Sequence, residues 1–254
     1  MNIKNWNQNI NQYFTGMNKY VVISTNDNLD YYQYVPFVIK AWNNLGWKVI
    51  TFLRGDKKIL NKLLDGENIF YFLDGKSKYR NETIVQVSRL FGGCLIENGL
   101  LMTADGDMMP CSDYWHPNEN DITCYGHDLT GYGHYPICYI SMSANKWREI
   151  IEYKSGCNVL NEIESLLDKY PQAASEDWYE WWQVDQDIIT ERLKKQTVNS
   201  ILRGGHNRFG LAKGRIDRFN WAETLNVENP IDAHMPRPFD IEAANNILIK
   251  TICQ

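Results

Sequence analysis

The sequence predicts an α/β fold in which helices cover both faces of a mostly parallel sheet. Short, continuous apolar runs alternate with helix-like segments over residues 19–110. Polar or acidic residues follow each run, and a chain of 254 residues is long enough to bury a sizeable core. Continuous apolar strands between helices are typical of a parallel sheet that is buried on both faces. We therefore expect one domain over residues 1–254, in two halves, 19–110 and 111–254.

The first half is predicted to contain three strand–helix units and a fourth strand. The fourth strand, "LLMTA", is followed by "DGD" at 105–107. Because ligands of open parallel sheets collect at the carboxyl ends of the strands, we expect the site at the edge that carries "STND", "RGD", "LDG" and "ADGD". The units are strand 19–27 and helix 34–46, strand 47–56 and helix 57–66, and strand 68–75 and helix 81–93.

The strand–helix alternation stops after Pro110. Residues 121–143 predict two strands joined by a loop. The segment 203–215, "RGGHNRFGLAKGR", is glycine-rich and basic, so it is either a loop that closes over phosphates or a solvated loop. Further helices are predicted over 145–153, 158–170, 177–196 and 240–252.

The composition excludes several classes of protein. A formal net charge of −5 is unfavourable for binding a phosphate backbone, so we expect no nucleic-acid partner. The six cysteines form no C-x-x-C pair, which indicates reduced thiols and not a disulfide framework. The polar start of the chain has no apolar signal-peptide core, and no apolar run approaches the length of about 18 residues needed to span a membrane. We therefore expect a cytoplasmic protein without a transmembrane segment.

A D-x-D pattern occurs twice, at 105–107 and at 185–187. Side chains two residues apart point to the same side of an extended segment, so both acids of the first pair are expected to face one ion. On a helix they differ by about 200°, so the second pair cannot chelate jointly. Carboxylate oxygens suit Mg²⁺ or Mn²⁺, and Gly106 leaves room for a diphosphate near the backbone. The alternative is a solvated turn, since Asp and Gly favour turns.

Other known uses of such a pattern fit this sequence less well. No G-x-G-x-x-G follows the first strand and no P-loop pattern occurs. An EF-hand loop needs Asp or Asn at its fifth position and Gly at its sixth, where this chain has Met109 and Pro110. A haloacid-dehalogenase-like phosphatase, with Asp105 as nucleophile, usually carries the motif on its first strand, but it remains the alternative enzyme. The third alternative is a non-catalytic sugar- or nucleotide-binding protein that uses the aromatic content of 13%.

The order of these segments resembles a known enzyme family. The strand ending in "STND", then "VITFLRG", "IFYFLDG", "QVSRLFGG" and "LLMTADGDMMP", resembles a GT-A-fold glycosyltransferase with its D-x-D motif, of the small single-domain bacterial or viral type. "WYEWWQVDQDIITERL" and "DAHMPRPF" are similar to the acceptor-side helix and the C-terminal metal-ligand segment of such enzymes. The resemblance covers most of 19–240. It implies a donor half over 19–110 and an acceptor half over 111–254.

The resemblance implies a metal-dependent transfer of a sugar from a UDP-, GDP- or dTDP-sugar to an acceptor hydroxyl, such as one on a glycan. The ion would be Mn²⁺ or Mg²⁺, with Asp107 as a direct ligand, Asp105 binding through water or holding the donor, and His234 completing the shell. A neutral imidazole suits Mn²⁺. Competing histidines are His127, His134 and His206. By the same resemblance, the donor would contact Thr25, Asp27, Arg54, Arg89 and Asp105.

The acceptor side is predicted at 175–187, where acids stand beside tryptophans. An inverting transfer needs a general base within reach of the acceptor hydroxyl, whereas a retaining transfer does not. If the transfer is inverting, the resemblance of "DQD" at 185–187 to the acceptor-side acid of such enzymes implies Asp185 as the base, with Asp177 as the second candidate. The aromatic residues are either a stacking platform for a sugar or the buried side of a helix. These residues are Trp178, Trp181 and Trp182.

Overall fold

The fold contains a seven-stranded sheet and a small three-stranded sheet. The computed structural model describes residues 18–64, 66, 68–129, 133–204 and 212–252. His206, Cys253 and all of residues 205–211 of the basic segment 203–215 lie outside these ranges. The strands within them are β1 (Lys19–Asn26), β2 (Lys48–Arg54), β3 (Ile69–Phe72), β4 (Leu100–Thr103), β5 (Met108–Pro110), β6 (Ile122–Tyr125), β7 (Ile140–Ser143), β8 (Val198–Ile201), β9 (Arg215–Asp217) and β10 (Asp232–His234).

The main sheet has the strand order β3-β2-β1-β4-β7-β6-β8. Strand β1 lies at its centre and pairs in parallel with β2 and with β4, and β2 pairs in parallel with β3. Strand β7 is antiparallel to both β4 and β6, and β8 is parallel to β6. The predicted mostly parallel α/β sheet is therefore confirmed, and among the described strands of this sheet only β7, from the second half of the chain, runs against the others.

Helices cover both faces of this sheet, as the continuous apolar strands predicted. In β1, the side chain of Val22 packs in the core that contains Ile84 and Val87, on one face of the sheet. Its neighbours Val21 and Ile23 pack in the core on the other face. Because successive side chains of a strand point to opposite faces, a run of apolar residues is needed to fill both cores.

The helices agree with the predicted positions, but several are shorter or divided. The predicted helix over 81–93 is α-helical only to Ser88 and continues as a 3₁₀ helix, Arg89–Cys94. A Cβ at Gly92 would lie 2.3 Å from a methyl carbon of Val22, so the chain approaches the sheet closely there. The helices are α1 (Leu29–Tyr32), α2 (Val35–Asn44), α3 (Lys57–Leu60), α4 (Asn81–Ser88), α5 (Ala144–Ile150), α6 (Val159–Leu167), α7 (Trp178–Trp182), α8 (Val184–Leu193), α9 (Trp221–Thr224) and α10 (Ile241–Ile252).

The small sheet was not predicted, and it positions the site. Strand β10 pairs antiparallel with β5 and parallel with β9. In this register His234 lies opposite Met108 on one side and opposite Asp217 on the other. Since Met108 directly follows Asp107, the three-stranded sheet brings Asp107, Asp217 and His234 together from distant parts of the chain.

Two further expectations concern cysteines and membranes. The cysteines within the described ranges carry free thiols, namely Cys94, Cys111, Cys124, Cys138 and Cys157. In the described part of the chain, no helix combines the length and the apolar character that crossing a bilayer requires.

Candidate functional site

A cavity of about 260 Å³ opens at the carboxyl edge of the main sheet, where β1 and β4 end. We call it the rim cavity. Its wall is completed by α4, the junction of α7 and α8, and the segments that follow β9 and β10. The residues that line it include Thr25, Tyr31, Glu82, Arg89, Asp105, Gly106, Asp107, Trp182, Asp185, Gln186, Arg218, His234 and Arg237. The edge predicted from the sequence therefore does carry a cavity.

The first D-x-D pair occupies a turn and not an extended segment. Strand β4 ends at Thr103, and the amide of Met108 donates a hydrogen bond of 3.2 Å to the carbonyl of Asp105. The alternation that would aim both carboxylates at one ion is therefore interrupted, and Asp105 and Asp107 point to different partners. Gly106 is required by packing, because a Cβ there would lie 2.9 Å from the carbonyl oxygen of Ser24.

Asp105 belongs to a buried cluster centred on Arg89. One guanidinium nitrogen of Arg89, Nη1, donates to Asp105 Oδ1. The other, Nη2, donates to Asp185 Oδ2 over 2.6 Å. Burial lowers the pKa of Arg89, but Asp105 and Asp185 outweigh that effect and the pKa is raised. Burial raises the pKa of Asp185 to about 6, although the charge of Arg89 opposes this.

Asp107 belongs to a second cluster, with the opposite balance of charge. Its Oδ2 atom accepts hydrogen bonds from Arg237 Nη2 over 2.6 Å and from Arg218 Nη1 over 2.9 Å. The same oxygen lies 3.7 Å from His234 Nε2. Burial raises the pKa of the Asp107 carboxyl, but His234, Arg237 and Arg218 outweigh it, so that this pKa lies below its usual range. The carboxylate form is therefore stabilised.

The surroundings of His234 suit a metal ligand. Its Nδ1 atom lies 3.6 Å from Asp217 Oδ2, a buried oxygen with no hydrogen-bond partner among the described residues. A carboxylate behind one ring nitrogen orients the other towards an ion, which is a common outer-shell arrangement of metal sites. Here the other nitrogen, Nε2, faces Asp107. The carboxylate of Asp107 suits Mn²⁺ or Mg²⁺, and the 3.7 Å between its Oδ2 atom and His234 Nε2 leaves room for an ion bound to both.

Asp105 does not join this pair in the structure. Within the described residues, no cluster of three His, Cys, Asp or Glu side chains is gathered closely enough for a metal. The reason is that Asp105 is turned towards Arg89, while two guanidiniums lie beside Asp107.

The predicted donor residues separate into two groups. Thr25 lines the rim cavity, with its hydroxyl donating to the carbonyl of Asn26. Arg54 and Asp27 do not line it, because their polar atoms connect the loops around it. Arg54 donates to the carbonyls of Leu73 and Gly75 and to Asn81. Asp27 Oδ2 accepts from the amide of Asp56 over 2.8 Å.

The acceptor-side residues also differ from one another. Trp182 lines the rim cavity beside Asp185, whereas Trp178 is 64% exposed. The alternative that the tryptophans form the buried side of a helix is wrong for α7, which has no buried residue. Asp177 is the exposed N-cap of α7, and its carboxylate accepts from the amide of Tyr179. It is not among the residues that line the rim cavity.

Two of the competing histidines, His127 and His134, lie elsewhere. The ring of His127 stacks on Tyr135, with 4.3 Å between ring centroids. His134 Nε2 lies 3.7 Å from Asp187 Oδ1. Neither histidine lines the rim cavity.

Sequence reasoning missed Arg218, Arg237 and Asp217. Arg237 lies three residues after His234 in "DAHMPRPF", so a cation close to a candidate ligand was the available signal. Arg218 and Asp217 lie in "RIDRF", which resembles an ordinary charged loop. Their role depends on the pairing of β9 with β10, and strands of three residues leave no periodic pattern to detect.

Comparisons with known proteins agree with this architecture. No protein-family model matches the sequence, and no curated protein matches it either. The fold is similar to that of the glycosyltransferase GlyE of Streptococcus pneumoniae TIGR4, with a TM-score of 0.50, 13% identity, and coverage of 93% of this chain and 61% of GlyE. The galactosyltransferase LgtC, solved with donor and acceptor sugar analogues, gives a TM-score of 0.48 and 15% identity, with 91% of this chain and 95% of LgtC covered.

The similarity to GlyE concerns the fold. Both chains share a mixed α/β architecture with a mostly parallel central sheet, and the expected GT-A-like fold is thereby confirmed. The chain spans about three-fifths of the length of the GlyE structure.

Proposed function

We propose that this chain is a metal-dependent glycosyltransferase, which transfers a sugar from a nucleotide-sugar donor to an acceptor hydroxyl. The observation that carries the proposal is the arrangement of Asp107, His234, Arg218 and Arg237 at one end of the rim cavity. It combines the donor atoms of a divalent-ion site with two guanidiniums that suit phosphate oxygens. The glycosyltransferase fold of the solved neighbours supports it.

The diphosphate of the donor is assigned to the Asp107 end of the cavity. Asp107 and His234 would hold Mn²⁺ or Mg²⁺, with Asp105 as a further ligand through water. The ion, when bound, would act as a Lewis acid that stabilises charge on the departing nucleoside diphosphate. Arg218 and Arg237 would bind phosphate oxygens, and Thr25 and Tyr31 would contact the nucleoside at the end of β1.

The donor sugar is assigned to the Arg89 end of the cavity. Arg89 is fixed by Asp105 and Asp185, so its position changes little when a ligand binds. The Oδ1 and Oδ2 atoms of Asp185 accept from the amide of Gln186 and from Arg89, which leaves further lone pairs for a sugar hydroxyl. If the transfer inverts, Asp185 is the general base, and its pKa of about 6 keeps it ionised at neutral pH.

The acceptor is assigned to the side of Trp182. This ring lines the cavity beside Asp185, and the exposed rings of Trp178 and Tyr179 continue from it along α7. Aromatic rings stack on the apolar faces of sugars, so a glycan acceptor fits this surface. The net charge of −5 disfavours nucleic acid as a partner.

The test is a thermal-shift panel of UDP-, GDP- and dTDP-sugars, with and without Mn²⁺, followed by assays of sugar transfer. We expect stabilisation that requires both the ion and the nucleoside diphosphate. It should be lost in Asp107→Asn and retained in Asp74→Asn, whose carboxylate pairs with Lys57 on the surface.

Two other outcomes would refute the proposal. Release of phosphate from simple esters, dependent on Asp105, would support the phosphatase. Affinity for sugars or nucleotides with no turnover under any metal would support a binding protein.

A further inference from the structure

We propose that Arg218 and Arg237 form an exchangeable guanidinium lock, which keeps a divalent ion away from Asp107 until a diphosphate draws both arginines off. The ion and the diphosphate then bind as a coupled pair, each weakly without the other. The inference rests on the proposed function, because it concerns how that site is loaded.

Arg218, Arg237 and a bound ion would compete for a single oxygen atom of Asp107. Asp107 Oδ2 accepts from Arg237 Nη2 and Arg218 Nη1, at 2.6 Å and 2.9 Å. It is also the oxygen that faces His234 Nε2, at 3.7 Å. An ion held between Asp107 and His234 needs lone pairs that the guanidiniums now use, and its charge would repel both arginines. The lock and the ion are therefore mutually exclusive in this arrangement.

A similar cluster of two arginines and one aspartate lies elsewhere in the fold. Arg203 and Arg215 both pair with the carboxylate of Asp232, at 2.8 Å and 2.9 Å. Their side chains are 0% and 9% exposed, and neither lines the rim cavity. A pair of this kind has no space into which it could move, so it is a fixed structural clamp.

Arg218 and Arg237 differ from that clamp both in the exposure of their side chains and in their position at the rim cavity. The side chains of Arg218 and Arg237 are 17% and 27% exposed, and both line the rim cavity, whereas Asp107 is 3% exposed. Each of the two guanidiniums donates to Asp107 through one terminal nitrogen, which leaves its other terminal nitrogen for a further acceptor. Unused donors beside a cavity can bind phosphate oxygens, and arginine binds phosphate through two parallel hydrogen bonds. The guanidiniums can therefore change partner while the carboxylate stays in place.

The charges that line the rim cavity couple the binding of the ion to the binding of the diphosphate. Among the described residues that line the cavity, four carry carboxylates, Glu82, Asp105, Asp107 and Asp185, and three carry guanidiniums, Arg89, Arg218 and Arg237. A diphosphate that takes both guanidiniums removes two positive charges from the buried carboxylate of Asp107, which is strongly unfavourable. An ion restores the compensation. The affinities of the ion and the diphosphate are thus coupled, and the coupling is reciprocal.

The experiment measures each partner alone with Arg218→Gln and Arg237→Gln. Binding of Mn²⁺ is followed from the loss of the free-ion signal in electron paramagnetic resonance, and binding of inorganic pyrophosphate by calorimetry in EDTA. We expect each substitution to tighten Mn²⁺ binding by about tenfold, because a competing cation is removed, and to weaken pyrophosphate binding by about tenfold. Arg192→Gln removes the same charge from a pair with Glu152 outside the cavity, and should change neither affinity.

Opposite shifts in the two affinities support the lock, since loss of folding alone would weaken both. Unchanged or weaker Mn²⁺ binding in both variants would overturn it. Thermal unfolding verifies that each variant is folded, and Arg237→Lys, which keeps the charge but not the fork of donors, should give intermediate shifts. If the affinities shift as expected but no sugar is transferred, the proposed function is wrong and the lock stands. If sugar is transferred but the affinities do not diverge, only the lock is wrong.

Discussion

Arg89 and Asp185 form a buried ion pair across the site, with 2.6 Å between Nη2 and Oδ2. The two residues are 96 positions apart in the chain, and Arg89 also binds Asp105. One guanidinium therefore joins α8 to the turn after β4. The side chain of Asp185 is only 2% exposed, and its pKa is raised to about 6 because burial outweighs the attraction of Arg89.

The stability of the protein should depend on pH through Asp185. Its folded pKa of about 6 exceeds the unfolded value of about 3.9, so the folded state binds more protons between these values and loses stability as pH rises through them. The loss amounts to about 3 kcal/mol and is complete above pH 6 or so. Asp185→Asn removes this dependence. When the pH is raised from 4 to 7.5, the free energy of unfolding of the variant should therefore rise by about 3 kcal/mol relative to that of the wild type. Urea unfolding at several pH values measures the free energy of unfolding of both proteins. A difference between them that does not change with pH would contradict the prediction.

Arg54→Met should destabilise the fold and leave donor binding intact. The buried guanidinium of Arg54 donates to two backbone carbonyls, of Leu73 and Gly75, and to the side chain of Asn81. Loss of these bonds leaves buried acceptors unpaired, and we expect a loss of about 2–4 kcal/mol in the free energy of unfolding. Calorimetric titration with UDP measures affinity at a temperature where the variant is folded. A fall in affinity without a fall in stability would return Arg54 to the donor site.

The main sheet could be predicted because its central strands are long and apolar. Strands β1 and β2 lie within the predicted segments, and their continuous runs of Val, Ile and Leu are distinctive. Strand β8, "VNSI", is partly polar and partly exposed, so its sequence carries no such signal. Strands β9 and β10 have three residues each and are stable only because they pair.

The same physical distinction applies to the candidate site. Thr25 could be placed because it lies near the end of a predicted strand, and Asp105 and Asp107 because they follow another one. Arg218 and Arg237 lie 111 and 130 residues from Asp107, and only the three-dimensional pairing of the small sheet brings them there. Asp107 and His234 could therefore be proposed as metal ligands from the sequence, but the two arginines beside them could not.

Gly106→Ala should disturb the turn that carries both acids. The new Cβ would lie 2.9 Å from the backbone oxygen of Ser24, which cannot yield as a flexible side chain would. We expect a loss of stability of about 1–3 kcal/mol from overpacking. Because the same turn positions Asp107, binding of Mn²⁺ with UDP should also weaken. Unchanged unfolding and unchanged metal affinity would show that the turn has room to adjust.

Asp177→Ala should retain transfer activity. Asp177 caps α7 through a 2.9 Å hydrogen bond to the amide of Tyr179, and it is not among the residues that line the rim cavity. Loss of such a cap costs about 1 kcal/mol of stability. We expect kcat within about twofold of the wild-type value, since general-base catalysis requires contact with the acceptor hydroxyl. A fall of kcat by two or more orders of magnitude, with the variant folded, would make Asp177 the base in place of Asp185.

Trp182→Ala should weaken binding of the acceptor more than Trp178→Ala does. Trp182 lines the rim cavity next to Asp185, whereas Trp178 is 64% exposed at the start of the same short helix. If a sugar ring stacks on Trp182, its removal should raise KM for the acceptor by about three- to tenfold, with KM for the donor unchanged. Trp178→Ala is the comparison, because it removes the same side chain from the outer part of the same aromatic surface, where we expect a smaller effect. Equal effects of the two substitutions would place the acceptor along the outer face of α7 and not at the mouth of the cavity.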